Sequence, residues 1–287
     1  MKYSIRAMTR GDLELAIDWA AAEGWNPGLN DADTFFSTDP NGYFLGDLDG
    51  EAVSSISAVS YGQTYGFVGF YIVKPSHRGH GFGYRLWQAG LKHLEGRNIG
   101  LDGVPQQEEN YRKSGFKTAY SNIRYELTST DLSRDQNNVH ARHGVCTIEY
   151  DAAKNDQIVE FDTKFFPVRR AMFLQHWLKQ PGSMVRVSLS EGSVVGYGVI
   201  RPCRNGFKIG PLFAETETIA DALFRDLARI ASGQPVFLDA PESNNDATAL
   251  VKRYNMQPMF ATSRMYTQAA PELPLAKIYG VTTFELG

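Results

Sequence analysis

Residues able to do chemistry gather around position 80, in the stretch Arg78-Gly79-His80-Gly81-Phe82-Gly83. Residues 67–73 before it are dense in β-branched and aromatic types and read as a buried strand, which Pro75 ends. From Phe82 the pattern turns helical, with Phe82, Leu86, Ala89 and Leu94 returning to one face until Gly96. A glycine-rich turn entering a helix collects unpaired backbone N–H groups at the positive end of the helix dipole. Such a place favours an anion, and glycines let linked phosphates approach the backbone closely. Several nucleotide sites share this design. A Walker loop needs a closing Gly-Lys-Ser/Thr, which is absent. A dinucleotide fingerprint belongs to the first strand-helix unit, with an acidic residue about 20 positions on. Asp102 has about that spacing, yet the turn follows the fourth predicted strand.

A second motif favours another site. Asn110-Tyr111-Arg112-Lys113-Ser114-Gly115-Phe116 places a tyrosine four residues before a Gly-Phe pair, about 30 residues beyond the turn. The chain here resembles the Gcn5-related N-acetyltransferases (GNAT). Arg78-x-x-Gly81-x-Gly83 is similar to that family's Gln/Arg-x-x-Gly-x-Gly/Ala motif, and Tyr111 to Phe116 looks like its later motif. The resemblance covers residues 2–127. It implies that Arg78, Gly79, His80, Gly81, Phe82 and Gly83 hold the pyrophosphate of acetyl-CoA, a cosubstrate. It further implies a strand that splays from its neighbour, so that the backbone of Tyr71, Ile72 and Val73 faces pantetheine and thioester, and a coenzyme contact from Asn110.

Acetyl transfer to an amine asks for a deprotonated nitrogen, a donor to the oxyanion and a proton for the departing thiolate. Tyr111, whose place matches the family's tyrosine, suits the last task, because a phenol of unperturbed pKa near about 10 is protonated at neutral pH. The strand before the turn carries no carboxylate. Asp102, at a strand end beside the expected gap, is the candidate base; orienting a water, pairing with a cationic amine and a structural role are alternatives. Glu108 and Glu109 suit a helix N-terminus without any chemistry.

The elements that must position these groups follow from the flanking pattern. Residues 3–8 alternate as a first strand, and Thr9-Arg10-Gly11-Asp12 caps a helix ending near Gly24, with Leu13, Ala16, Ile17 and Ala20 inward. A short helix over 31–37 follows; the resemblance puts Trp25, Asn26, Phe35 and Phe36 at the acceptor side, with aromatic core and turn chemistry the alternative. Residues 43–47 and 52–61 form a hairpin around Asp49-Gly50. Residues 99–104 and 118–127 are the last strands of this half.

The second half repeats the order. Gly206-Phe207-Lys208-Ile209-Gly210 is similar to the stretch from Gly66, Phe237-Leu238-Asp239-Ala240-Pro241 to the strand bearing Asp102, and Lys252-Arg253-Tyr254-Asn255-Met256 to the later motif. The cradle alone is missing, since Ala214-Glu215-Thr216-Glu217-Thr218 has two carboxylates and no glycine, and acidic groups repel phosphate. The expected architecture is α+β (mixed α/β): tandem GNAT folds, each a mostly antiparallel mixed sheet with a splayed central strand pair and flanking helices. The first fold spans 1–130, a polar linker 131–143, and a degenerate copy 144–287 that is expected to bind no coenzyme but to supply structure and part of the acceptor pocket.

Composition bounds the rest. A chain of 287 residues with 43% hydrophobic and 21% charged residues exceeds a typical single domain, and two compact units are expected. A formal net charge of −3 argues against general nucleic-acid binding. No apolar run is long enough to span a bilayer, and no secretory segment is evident, so a cytoplasmic protein without membrane partners is expected. His140, His143 and Cys146 are better read as linker than as metal ligands, and no metal is expected. The predicted activity is acetyl-CoA-dependent N-acetylation of a small-molecule or peptide amine by a monomer or homodimer. A non-catalytic acyl-CoA-binding protein and a nucleotide-dependent oxidoreductase are the competing classes.

Overall fold

Local signals set the elements of this computed structural model, which describes residues 2–128 and 145–287. The linker expected at 131–143, with His140 and His143, lies outside the described residues. Thr9 caps α1 (Arg10–Ala22) reciprocally: its hydroxyl accepts from the Asp12 N–H, and the Asp12 carboxylate accepts from the Thr9 N–H. Asp49-Gly50 and Glu191-Gly192 adopt positive φ at both positions, the turn that matches strand twist in a two-residue hairpin. They join β2 (Tyr43–Leu48) to β3 (Glu51–Tyr61) and β8 (Met184–Ser190) to β9 (Ser193–Pro202).

The first half runs β1 (Tyr3–Ala7), α1, α2 (Asp31–Thr38), β2, β3, β4 (Tyr65–Val73), α3 (Phe82–His93), β5 (Asn98–Gly103), α4 (Glu108–Lys113) and β6 (Lys117–Leu127). The second repeats it as β7 (Val145–Glu149), α5 (Asn155–Asp162), α6 (Ala171–Trp177), β8, β9, β10 (Phe207–Ala214), α7 (Glu217–Ile230), β11 (Val236–Pro241), α8 (Asn245–Arg253) and β12 (Gln257–Tyr266). The short β13 (Ile278–Gly280) follows. All the described strands form one 13-stranded sheet, ordered β1-β2-β3-β4-β5-β12-β6-β11-β10-β9-β8-β7, with β13 on β10.

That order contains an exchange invisible to local patterning. The final strand of each half pairs with the other half: β12 lies antiparallel to β5, and β6 antiparallel to β11. Met265 of β12 therefore joins the apolar cluster under α3, while Leu127 of β6 joins the cluster under α7 and α8. The exchange is locked twice by buried bidentate ion pairs at matching registers. Arg264 on β12 donates to Asp102 on β5 at 2.9 and 2.6 Å, and Arg124 on β6 donates to Asp239 on β11 at 2.6 and 2.6 Å. A third core, built on α1, α2, α5 and α6, is common to both halves.

Candidate active site

β4 and β5 are parallel partners only from Tyr65↔Asn98 to Val68↔Leu101. Beyond Val68 the strands part. On its other side β4 skips register with β3 between Ser57↔Gly69 and Ser55↔Ile72, a bulge that leaves Phe70 and Tyr71 without register partners. Phe70 has φ 44°, and its carbonyl accepts from the Ser55 hydroxyl at 2.8 Å. The opening between the parted strands is a cavity of about 400 Å³, walled by β4 from Val68 to Val73, by Leu101, Asp102, Gly103 and Tyr111, and by Phe260, Phe284 and Glu285 of the second half.

At the outer end of β4 the glycine turn feeds α3. Gly81 is the N-cap residue at φ 79°, in the left-handed region, and no side chain caps the helix. The first-turn N–H groups of a 12-residue helix are thus left for an external acceptor. Gly83 is required by proximity, because a Cβ there would stand 2.8 Å from the Tyr71 hydroxyl and 2.9 Å from Val73 Cγ2. His80 donates through Nδ1 to the Arg78 carbonyl at 2.9 Å, and Phe82 stacks on Tyr3 at 4.7 Å. Arg78 donates through Nε to the Val73 carbonyl and pairs with Glu23 at the end of α1. The corresponding place in the second half is closed: Thr216 caps α7 with its own hydroxyl, Glu215 pairs with Lys164 and Lys277, and Glu217 with Arg253.

Tyr111 enters the cavity from α4. Its ring packs on Trp87 at 5.3 Å and lies so close to Gly103 that a Cβ there would come within 2.4 Å. Burial drives its phenol well above the ordinary value, with Tyr71 adding to the effect, so the proton is held throughout the working range. Burial also lifts the Tyr71 phenol, to about 12.

The structure brings Tyr71, Ile72, Val73, Arg78, Asp102 and Tyr111 together on the cavity wall, and sets Gly79, His80, Gly81, Phe82 and Gly83 in the turn that follows Arg78 into α3. Asn110 stands apart, exposed at the surface, donating to Gln107 Oε1 at 2.8 Å. Asp102 is not free. Besides the two bonds from Arg264 it accepts one from Asn122 Nδ2 at 2.9 Å, and its side chain is fully shielded. Burial pushes its carboxyl up while Arg264 pulls it down; the twin Asp239 has Lys208 and Arg201 nearby as well and is held below the ordinary range. Of the expected acceptor-side residues, Trp25 lines the cavity, Phe35 is core, Phe36 packs against the core, and Asn26 bonds to Asn205.

The wall residues that were not anticipated include Glu23, Thr262, Phe260, Phe284 and Glu285. The last two belong to the tail after β13. In the second half β10 and β11 are partners only through Ile209↔Leu238, and there β13 and the tail fill the opening, with the Val281 N–H donating to the Asp239 carbonyl at 2.8 Å. The tail then crosses to the first half, where a Cβ on Gly69 would stand 2.1 Å from the Glu285 carbonyl oxygen. A glycine inside a strand can mark such a close approach, but nothing local names the partner.

Comparison with known proteins agrees with the duplication. A model of the acetyltransferase (GNAT) family matches residues 12–116, and one of an acetyltransferase (GNAT) domain matches 158–280. The chain is 36% identical over 277 residues, 96% of its length and 92% of the other's, to holothin acyltransferase of Pseudoalteromonas sp. (strain SANK 73390). Its fold is similar to that of a protein from Pyrococcus horikoshii described as a candidate acetyltransferase, with TM-score 0.80 and 22% identity over 99% of this chain and 96% of that one. It is also similar to a tandem GNAT protein from the clavulanic acid biosynthesis pathway, with TM-score 0.63 and 14% identity over 94% and 100%.

Proposed function

The chain belongs to the GNAT acetyltransferase family, and we propose that it transfers the acetyl group of acetyl-CoA to a primary amine by direct attack on the thioester. The observation that carries this reading is the uncapped N-terminus of α3, set by Gly81 at the outer end of the opening between β4 and β5, with Tyr111 on the same wall. A diphosphate fits the first-turn N–H groups, and pantetheine fits the length of β4 that has no strand beside it. Near the bulge, an N–H of Tyr71, Ile72 or Val73 meets the thioester oxygen and steadies the charge that grows there. Tyr111 supplies the proton for sulfur. Asp102, expected from sequence as the base, we assign instead to joining β5 and β12, since Arg264 and Asn122 already occupy its oxygens.

Only the first half takes coenzyme, because the second half's opening and helix end are filled by its own chain. The tail and Phe260 make the acceptor pocket a joint product of both halves. The bacterial relative is named for holothin, which makes holothin the first acceptor to assay. The test is thiol release from acetyl-CoA over a panel of amines, amino acids and polyamines, alongside calorimetric titration with CoA. Saturable binding with amine-dependent thiol release is expected; failure of CoA to bind, or binding that Gly81→Ala leaves unchanged, overturns the reading.

A further inference from the structure

Glu285 is the carboxylate of the cavity wall that no cation contacts directly among the described residues; Arg124, Arg201 and Lys208 act on it only at a distance. Glu23 is tied to Arg78, and Asp102 to Arg264. Glu285 accepts one hydrogen bond to Oε2, from the Thr283 hydroxyl at 2.6 Å, and Oε1 has no partner among the described residues. Its position is held from several sides. Thr283 Oγ1 accepts from the Glu285 and Leu286 N–H groups at 2.8 and 3.2 Å, and the Tyr61 hydroxyl donates to the Leu286 carbonyl at 3.0 Å. Arg170, buried against Asp162, donates to Thr282 Oγ1 at 2.8 Å and to the Gly287 carbonyl at 3.3 Å. So anchored, the residue sets its backbone carbonyl against Gly69, next to the bulge, and lines the cavity there.

The rest of that wall is aromatic. Trp25, Phe260 and Phe284 line it, and Arg124 lies 4.9 and 5.1 Å over the two phenylalanine rings, steadying both. Arg124 and Arg201 behind it are committed to Asp239 and Asp31. Lys208 is buried without a hydrogen-bond partner, off the cavity wall. Arg78, already paired and at the phosphate end, is the one lysine or arginine lining the cavity among the described residues. An acceptor carboxylate would thus meet Glu23, Asp102 and Glu285 on the wall, with Lys208, Arg124 and Arg201 set behind it.

We infer that Glu285 receives the acceptor, holding its ammonium group beside the bulge of β4 and taking a proton from it, and that this acceptor is a primary amine on an apolar or aromatic body without a carboxylate. This rests on the acetyltransferase reading above. A proton passes from the ammonium to Glu285, and the freed lone pair forms the N–C bond. As the C–S bond breaks, its electron pair stays on sulfur, which takes the Tyr111 proton; the remaining surplus proton on nitrogen returns to Tyr111 through solvent. After product leaves, Glu285 gives its proton to water.

The test uses the full chain with acetyl-CoA and three probes: 2-phenylethylamine, phenylalanine, and aniline, which is already neutral at pH 7.5. The wild type is expected to prefer phenylethylamine to phenylalanine by at least about tenfold in kcat/KM. Glu285→Gln is expected to lower kcat/KM for phenylethylamine by about 100-fold or more, the usual weight of a general base, and to affect aniline far less. Its affinity for CoA should be unchanged. Glu285→Asp, which keeps the charge, should recover part of the lost rate. Preference for phenylalanine, a Gln variant within about threefold of wild type on phenylethylamine, equal losses on the two amines, or an Asp variant no faster than Gln each overturns the inference. These results leave the acetyltransferase reading standing, whereas absence of CoA binding by the wild type removes that reading itself.

Discussion

Removing the Asp102 charge separates a structural carboxylate from a catalytic one. In Asp102→Asn the Arg264 guanidinium stays 5% exposed and loses its counter-charge. Two unit charges about 4 Å apart attract by about 4 kcal/mol at an effective dielectric near 20, and breaking a buried pair from one side typically costs about 3–5 kcal/mol. A loss of about 4 kcal/mol is therefore expected, read as the shift of the chemical-denaturation midpoint. The double variant Asp102→Asn with Arg264→Met no longer buries a lone cation, and it should regain at least about 2 kcal/mol of that loss. Acceptor turnover, measured in the same preparations, should return with stability. A double variant that is stable yet about 100-fold slower at saturating acceptor would make Asp102 the base after all. A single variant that costs less than about 1 kcal/mol would refute the claim that this pair locks the exchanged strand.

Other expectations follow from the same geometry. Tyr111→Phe should lower kcat by about 10²–10⁴-fold with little change in CoA affinity, measured by thiol release and calorimetry, because it deletes the proton donor alone. Gly81→Ala forces a side chain into φ 79°, costing about 1–2 kcal/mol, and should weaken CoA binding more than it lowers the melting temperature of the free protein. Gly69→Ala sets a methyl 2.1 Å from the Glu285 carbonyl oxygen and should displace the tail, costing about 1–3 kcal/mol and acceptor turnover while CoA still binds. The Arg6 hydrogen bond holds the Asp12 carboxyl far below its usual value, so its stabilisation is whole above the unfolded pKa of about 4 and is lost as pH falls through the folded one. Asp12→Asn should therefore lower the melting temperature by a constant amount from pH 8 to about pH 5, the cap being worth about 1 kcal/mol, with the gap closing in stronger acid.

What was legible in the sequence was local. The capping box at Thr9, the two-residue turn at Asp49-Gly50, the strand β4 and the glycine turn after it each follow from the conformational demands of a few adjacent residues, and each stands where expected. Pairing between distant strands has no such signature. A strand that alternates correctly buries its apolar face equally well beside β5 or beside β11, so nothing in residues 117–127 announces that β6 leaves its own half. The partner of Asp102 lies 162 residues away, and without it the carboxylate looks available. Glu285 was hidden for the same reason, being brought to the cavity by a tail whose route depends on the second half's opening.

The exchange also explains why a half without a cradle is retained. Cutting the chain between the halves would strip β5 of β12 and leave Asp102 without Arg264, so the first half cannot close its own site. The two openings are related by the duplication, and the tail treats them differently: it lies along β10 where a helix end is already capped, then stops against Gly69, short of the length of β4 that faces the uncapped helix. In one copy the chain itself fills the opening, and in doing so it carries Phe284 and Glu285 to the other. Acceptor preference should then vary with the tail and with β12 more readily than with the first half, whose bulge and turn the proposed coenzyme would constrain. Exchanging residues 281–287 with those of the holothin acyltransferase relative is expected to change the ranking of amines while leaving CoA affinity within about threefold. A ranking that instead follows changes in α1 and α2 would place the selecting residues in the first half.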